Sequence, residues 1–110
     1  MKRIVWIGSS KDDLKGFPPA AMDDTGHQLF RVQRGLDPDD WKPMPSIGIG
    51  VREIRVRDPS GAFRTIYLAT RQEALYVLHC FKKKSQKTAR EDIELARQRL
   101  TQVPRRTPHD

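Results

Sequence analysis

Three β-forming runs stand back to back in the second half of the chain, and they narrow the fold more than any other feature. Residues 51–57, 62–69 and 74–81 are rich in Val, Ile, Tyr and Phe, the side chains that suit a pleated surface. Asp58-Pro59-Ser60-Gly61 separates the first two runs and is strong turn chemistry. Thr70-Arg71-Gln72-Glu73 makes a weaker turn before the third. Two short connections in succession predict an antiparallel meander, because parallel neighbours need a long crossover. Alternation places Ile54 and Val56 on one face of the first strand and Arg55 and Arg57 on the other. Arg64 alternates likewise between Phe63 and Thr65. The arginines therefore project from chosen faces of the sheet.

The flanks read as helices. Residues 4–7 form a short apolar run ended by Gly8, which fits a first strand. Ser10 with Asp12 and Asp13 resembles a helix start, since acids favour the first turn. Pro18 or Pro19 can open a second helix, in which Ala21, Thr25, Leu29 and Val32 recur at helical spacing and Gly35 falls just past the end. Residues 36–46 carry three prolines around Trp41 and read as an irregular connection. After the meander comes Lys82-Lys83-Lys84-Ser85-Gln86-Lys87. Thr88 and Glu91 then match a capping box, with Ala89, Ile93, Ala96 and Leu100 along one helical face and Arg90, Arg97 and Arg99 decorating the rest. The expectation is one α+β domain over residues 1–103, with helices packed on a twisted, mostly antiparallel sheet, and a loose tail over 104–110.

Charge bears on function. Residues 1–46 hold seven basic and seven acidic side chains, whereas residues 47–110 hold fourteen and seven, so the whole net charge of +7 lies in the second part. Such one-sidedness favours a polyanion or an acidic partner over a merely solubilising surface. Cys80 is the sole cysteine, which excludes an internal disulfide and a cysteine zinc cluster and suits a reducing cytoplasm. No apolar run approaches the ~20 residues that cross a bilayer, and no membrane association is expected.

Conventional catalytic constellations are missing. There is no glycine-rich phosphate loop and no paired-histidine metal motif, and His27, His79 and His109 are far apart. Neither a metal nor a small-molecule cofactor is expected. Cys80 with His79 beside it is a poor nucleophile pair, because neighbours on a strand face opposite ways. His79 shares period two with Leu75, Val77 and Phe81 and reads as a buried or edge side chain. What remains is a set of cations on a sheet: Arg55, Arg57, Arg64, Lys82, Lys83, Lys84, Lys87 and Arg90. They suit tracking of nucleic-acid phosphates. They also suit RNA cleavage. RNA carries its own nucleophile, the 2′-hydroxyl, so an enzyme needs only to align it, stabilise the extra negative charge and move two protons. Arginine suits the charge, and a lysine crowded by cations loses its proton more readily. On residue types alone, binding outranks catalysis.

Further stretches carry a likeness: Asp13-Leu14 with Phe17-Pro18, Gln33-Arg34-Gly35-Leu36, Trp41-Lys42-Pro43-Met44, Gly50-Val51-Arg52-Glu53-Ile54-Arg55-Val56, Gly61-Ala62-Phe63-Arg64 with Ile66-Tyr67, and Val77 through Thr88. Over residues 3–101 the chain resembles the HigB-like, phage-associated branch of the RelE/ParE toxin superfamily. The resemblance implies the toxin of a type II toxin–antitoxin pair that cuts mRNA on the ribosome in the cytoplasm. It implies a small helix-turn-helix antitoxin as partner. Arg55, Arg64, Lys83 and Lys84 match the family's basic site positions. In this reading Arg64 and Arg55 clamp the scissile phosphate and Lys83 or Lys84 holds charge or shuttles a proton. Arg57, Lys82, Lys87 and Arg90 serve RNA binding. Tyr67 could stack on a base, though a core aromatic is the plainer reading. Some relatives place a proton-transfer histidine or tyrosine late in the chain, for which His109 is the candidate here. Two other readings share the fold: a ParE-type gyrase inhibitor, against which the lysine run joined to Arg55 and Arg64 argues, and a non-catalytic RNA-binding prophage remnant.

Overall fold

A computed structural model of the chain describes residues 1–105; His109 and the rest of 106–110 lie outside them. The order of elements is β1 (Arg3–Trp6), α1 (Ser10–Lys15), α2 (Pro19–Gln33), β2 (Trp41–Pro43), β3 (Val51–Asp58), β4 (Gly61–Leu68), β5 (Ala74–Lys82) and α3 (Arg90–Leu100). The strands form one five-stranded sheet in the order β1-β5-β4-β3-β2. The expected meander is its centre, with β3, β4 and β5 antiparallel in sequence. β1 joins β5 in parallel. The architecture is the mostly antiparallel α+β arrangement anticipated above, with α1 and α2 on one face and α3 on the other.

Local chemistry accounts for the helix ends. Pro18 and Pro19 open α2, where a missing N–H costs nothing. Gly35 follows α2 with φ +83°, and its N–H donates to the Val32 carbonyl while Leu36 N–H donates to that of Arg31, the double bond of a Schellman motif. The buried face of α2 runs through Ala21, Thr25, Gln28, Leu29 and Val32.

Both faces of the sheet are buried, so the core is double. Leu14, Phe17, Ala21, Leu29 and Val32 pack against Ile54, Val56, Phe63, Tyr67, Leu75 and Val77 on one side. Ala96, with Ile93 and Leu100, packs against Val51, Ile66, Leu68, Leu78 and Phe81 on the other. Each fully buried aliphatic or aromatic side chain contributes roughly 1.5–3 kcal/mol. Val103 is buried in the second cluster, and the Pro104 carbonyl accepts a hydrogen bond from Arg71 at 2.6 Å. Among the described residues no helix is long and apolar enough to cross a membrane.

Four features depart from the reading of the sequence. Residues 41–43, placed in an irregular connection, form the edge strand β2 against β3; three residues ending in proline are too few to show a period, and proline is tolerated at an edge. His79 does not share a face with Leu75 and Val77. Ile66 pairs with His79 and Tyr67 with Val77, so Leu78 is a bulge, which turns His79 to the α3 side. There its Nε2 lies 2.7 Å from Oδ1 of Asp92 and its ring stacks on Phe81 at 4.6 Å. Arg99 does not decorate α3: it is buried, and its Nη1 and Nη2 donate to the carbonyl of the bulged Leu78 and to Ser9 Oγ, both at 2.9 Å. The capping box does not form, because α3 begins after Ala89 without a side-chain cap, and Thr88 spends its hydroxyl elsewhere.

Candidate functional site

The β3–β4 hairpin brings opposing arginines together. Arg55 on β3 is the register partner of Arg64 on β4, so both project to the α3 side of the sheet. Like charges directly opposite one another disfavour a strand pair. The compensating charge comes from two residues earlier on β3, which alternation places on the same face. Oε1 of Glu53 lies 3.4 Å from Nε of Arg64 and 3.9 Å from Nε of Arg55. These are ion-pair contacts that close no hydrogen bond, for both Nε atoms and Glu53 Oε1 lack a hydrogen-bond partner. Glu53 has no exposed surface and Arg64 has 4%. Arg64 is fixed further by donating from Nη1 to the Phe63 carbonyl at 3.0 Å. Burial pulls its guanidinium below the usual arginine value, against the opposing pull of Glu53; an arginine so placed still carries its charge.

The lysine run supplies the second wall. The Lys83 N–H donates to the Ala62 carbonyl at 2.8 Å, which extends the β4–β5 pairing one step beyond the strand and sets Lys83 beside Arg64. Lys83 is half-buried. Burial first, then the neighbouring Arg64, hold its ammonium below the ordinary lysine value; Arg55 and Lys42 act in the same direction and Glu53 opposes them. Between the walls lies a cleft of about 530 Å³ lined by Arg57, Ala62, Arg64, Lys83, Lys84, Ser85 and Gln86. Beneath it, Thr88 ties the loop to the sheet, its Oγ1 donating to Oε2 of the buried Glu53 at 2.7 Å.

The cleft thus gathers Arg57, Arg64, Lys83 and Lys84; Arg55 stands beside it as the register partner of Arg64, and its charge reaches Lys83. The other three cations singled out in the sequence lie apart from it. Lys82 points to the opposite face, where its Nζ sits 6.0 Å from the centre of the Phe63 ring. Arg90 is exposed and pairs with Glu94 at 3.0 Å along α3. Lys87 is exposed outside the lining, and its carbonyl accepts from Ser85 Oγ at 2.7 Å, which closes the loop on itself. Tyr67 is 1% exposed within the α2-side core, where it presents no face to a base. Burial pushes the Cys80 thiol up to about 12, far from a nucleophile's range. Among the described residues no three His, Cys, Asp or Glu side chains gather as a metal site would need.

Three members of the site escaped the sequence. Glu53 shares its strand face with Arg55 and Arg57 and would pass for a solvent-facing charge. Thr88 stood where a helix cap is expected. Lys42 is paired with Glu53 across β2 and β3, so it faces the same side as the cleft and its charge reaches Lys83.

What the arrangement can do follows from its composition. Arginines and lysines converge on a concave surface over a buried carboxylate, a donor set whose chemistry suits a phosphate, with a half-buried amine at its side. A family model described as Phage derived protein Gp49-like (DUF891) matches residues 12–101, which include every cation of this cleft. No curated protein matches the chain.

Proposed function

The chain belongs to the Gp49-like family of phage-derived proteins, which is compatible with a toxin-like role, and we propose that it is the HigB-like toxin of a type II toxin–antitoxin pair, an endoribonuclease that cuts mRNA on the ribosome. The observation that carries this reading is the meeting of Arg64 with Lys83 in one cleft, with Arg55 opposite Arg64 across the strand pair.

The chemistry needs no nucleophile from the protein. The 2′-oxygen of the ribose attacks the adjacent phosphorus, the bond from phosphorus to the 5′-oxygen breaks, and the products are a 2′,3′-cyclic phosphate and a 5′-hydroxyl. Arg64 and Arg55 meet the non-bridging oxygens, where charge builds in the transition state. A fixed donor at such a position is worth roughly a hundred- to a thousandfold in rate. Lys83 accepts the 2′-hydroxyl proton, because its lowered pKa leaves more of it neutral than an exposed lysine would be. Lys84, as an ammonium at the cleft mouth, gives a proton to the departing 5′-oxygen. Glu53 takes no proton from substrate, since it has no surface to offer; it holds the arginines. Arg57 tracks the neighbouring phosphate. In this reading the protein works in the cytoplasm on ribosome-bound mRNA, and a helix-turn-helix antitoxin neutralises it.

The test is a reconstituted translation reaction with the purified protein. Cleaved mRNA should carry a 5′-hydroxyl on the downstream fragment and a cyclic phosphate on the upstream one, and the same mRNA without ribosomes should stay whole. Downstream fragments bearing a 5′-phosphate would refute the mechanism. Arg64→Lys, which keeps the charge opposite Glu53 but loses the fork, should remove cleavage.

A further inference from the structure

The two walls of the cleft come from separate stretches of chain. β3 and β4 carry Arg55, Arg57 and Arg64, whereas Lys83 and Lys84 stand on the connection between β5 and α3. That connection brings Lys83 and Lys84 toward three arginines, and mutual repulsion drives it away from the sheet. Its first residue is held by the Lys83-to-Ala62 backbone bond, and its turn is closed internally by Ser85 and Lys87. At its far end one side-chain bond returns to the sheet beneath the arginines, from Thr88 Oγ1 to Glu53 Oε2 at 2.7 Å, spanning 35 residues of sequence. Both partners are buried, with exposures of 9% and 0%. The hydroxyl is diverted from the helix cap that its position invites, since α3 starts at Arg90 without a side-chain cap.

We propose that the Thr88–Glu53 bond is a latch that holds the lysine connection against the arginine wall, and that Thr88 is a positioning residue which sets Lys83 beside Arg64. The inference rests on the RNA-cleavage reading for its consequence in catalysis, but the latch itself is a property of the free protein. Lys83 faces Arg64 on β4, Glu53 and Arg55 on β3 and Lys42 on β2. Of these, only Glu53 favours its ammonium form. With the connection released, the Lys83 backbone stays on Ala62, but its side chain is no longer confined against these groups and turns out to solvent.

The test is a lysine side-chain NMR titration of the whole protein, with the Lys83 signal identified by its loss in Lys83→Gln. In the wild type, Lys83 titrates below the exposed lysines. Thr88→Val removes the hydroxyl at nearly constant volume and should move Lys83 up toward the exposed lysines. Thr88→Ala should do the same with no crowding, and Thr88→Ser should restore the wild-type titration. Glu53→Gln keeps an oxygen for the Thr88 hydroxyl but removes the negative charge, so Lys83 should move further down. Opposite shifts for Thr88→Val and Glu53→Gln support the latch. An unmoved Lys83 in Thr88→Val and Thr88→Ala, or shifts of the same sign in the two positions, overturn it. Single-turnover cleavage of ribosome-bound mRNA then reads the consequence: Thr88→Val should be slower by roughly a hundredfold, as a displaced catalytic group is, with RNA affinity unchanged. A wild-type protein that cuts no RNA would defeat the cleavage reading while the titration still decides the latch.

Discussion

Oε1 of Glu53 lies 3.4 Å from Nε of Arg64, and the two side chains keep 0% and 4% of their surface. One buried carboxylate therefore stands under a pair of arginines that the strand register sets face to face. The cost of removing it is large, because the cations above would be left uncompensated in the interior. Glu53→Ala should destabilise the fold by about 3 kcal/mol, the lower end of the range for breaking a buried pair. Glu53→Gln should cost less, since the Thr88 hydroxyl keeps an acceptor. Urea unfolding read by circular dichroism checks this, through the midpoint at constant slope.

RNA binding should report which cations touch phosphate. Five contacts, from Arg55, Arg57, Arg64, Lys83 and Lys84, give a slope of log affinity against log salt of about −3.5 for a single strand. Arg57→Gln and Lys84→Gln should each flatten it by about 0.7. Lys82→Gln and Arg90→Gln should leave it as it is, because Lys82 sits over Phe63 on the other face and Arg90 is paired on α3. Fluorescence anisotropy with a short unstructured RNA over a salt series measures these slopes.

Those two lysines and arginines show what the sequence could and could not convey. The meander, the α2 face and the Gly35 helix end were legible because each is written in a few neighbouring residues: turn chemistry at Asp58–Gly61, a helical repeat at Ala21, Leu29 and Val32, a glycine where φ must be positive. The opposition of Arg55 and Arg64 was only half legible, since alternation gives the face but not the register. Lys82, Lys83 and Lys84 form one run in the sequence, although alternation at a strand end sends neighbours to opposite sides. The rest depended on distant pairings. The Leu78 bulge, which turned His79 from the α2 side to the α3 side, arises from how β5 meets β4. Thr88 follows a cap signal in sequence and a buried acid in space. β1 pairs with β5 from the other end of the chain, so no neighbouring residues announce its place.

Arg99 is a structural residue by its contacts. It serves the carbonyl that the bulge frees at Leu78 and the hydroxyl of Ser9 at the start of α1. Arg99→Met should cost about 1–3 kcal/mol, the penalty for leaving buried polar groups unmade, and should not alter the salt dependence of RNA binding. Gly8→Ala attacks the same joint. Gly8 has φ +58°, and a Cβ there would lie 2.7 Å from Arg99 Nε, so strain of about 1–2 kcal/mol adds to the displacement of the guanidinium. Thermal unfolding of the two variants tests both statements.

Cys80 should be silent in the folded protein. Its thiol is 2% exposed and pushed up to about 12, so almost no thiolate forms at pH 8. Iodoacetamide labelling should be negligible in buffer and fast in denaturant, and Cys80→Ala should leave RNA cleavage intact. Rapid labelling of the native protein would show that the β5 wall opens.

The most direct test of the central claim maps RNA 5′ ends across translated messages after brief expression in cells, with wild type beside Arg64→Lys. The account expects new ends within codons in the wild type, bearing 5′-hydroxyls, and none with Arg64→Lys. Growth arrest by the wild type without new ends in translated mRNA would contradict it.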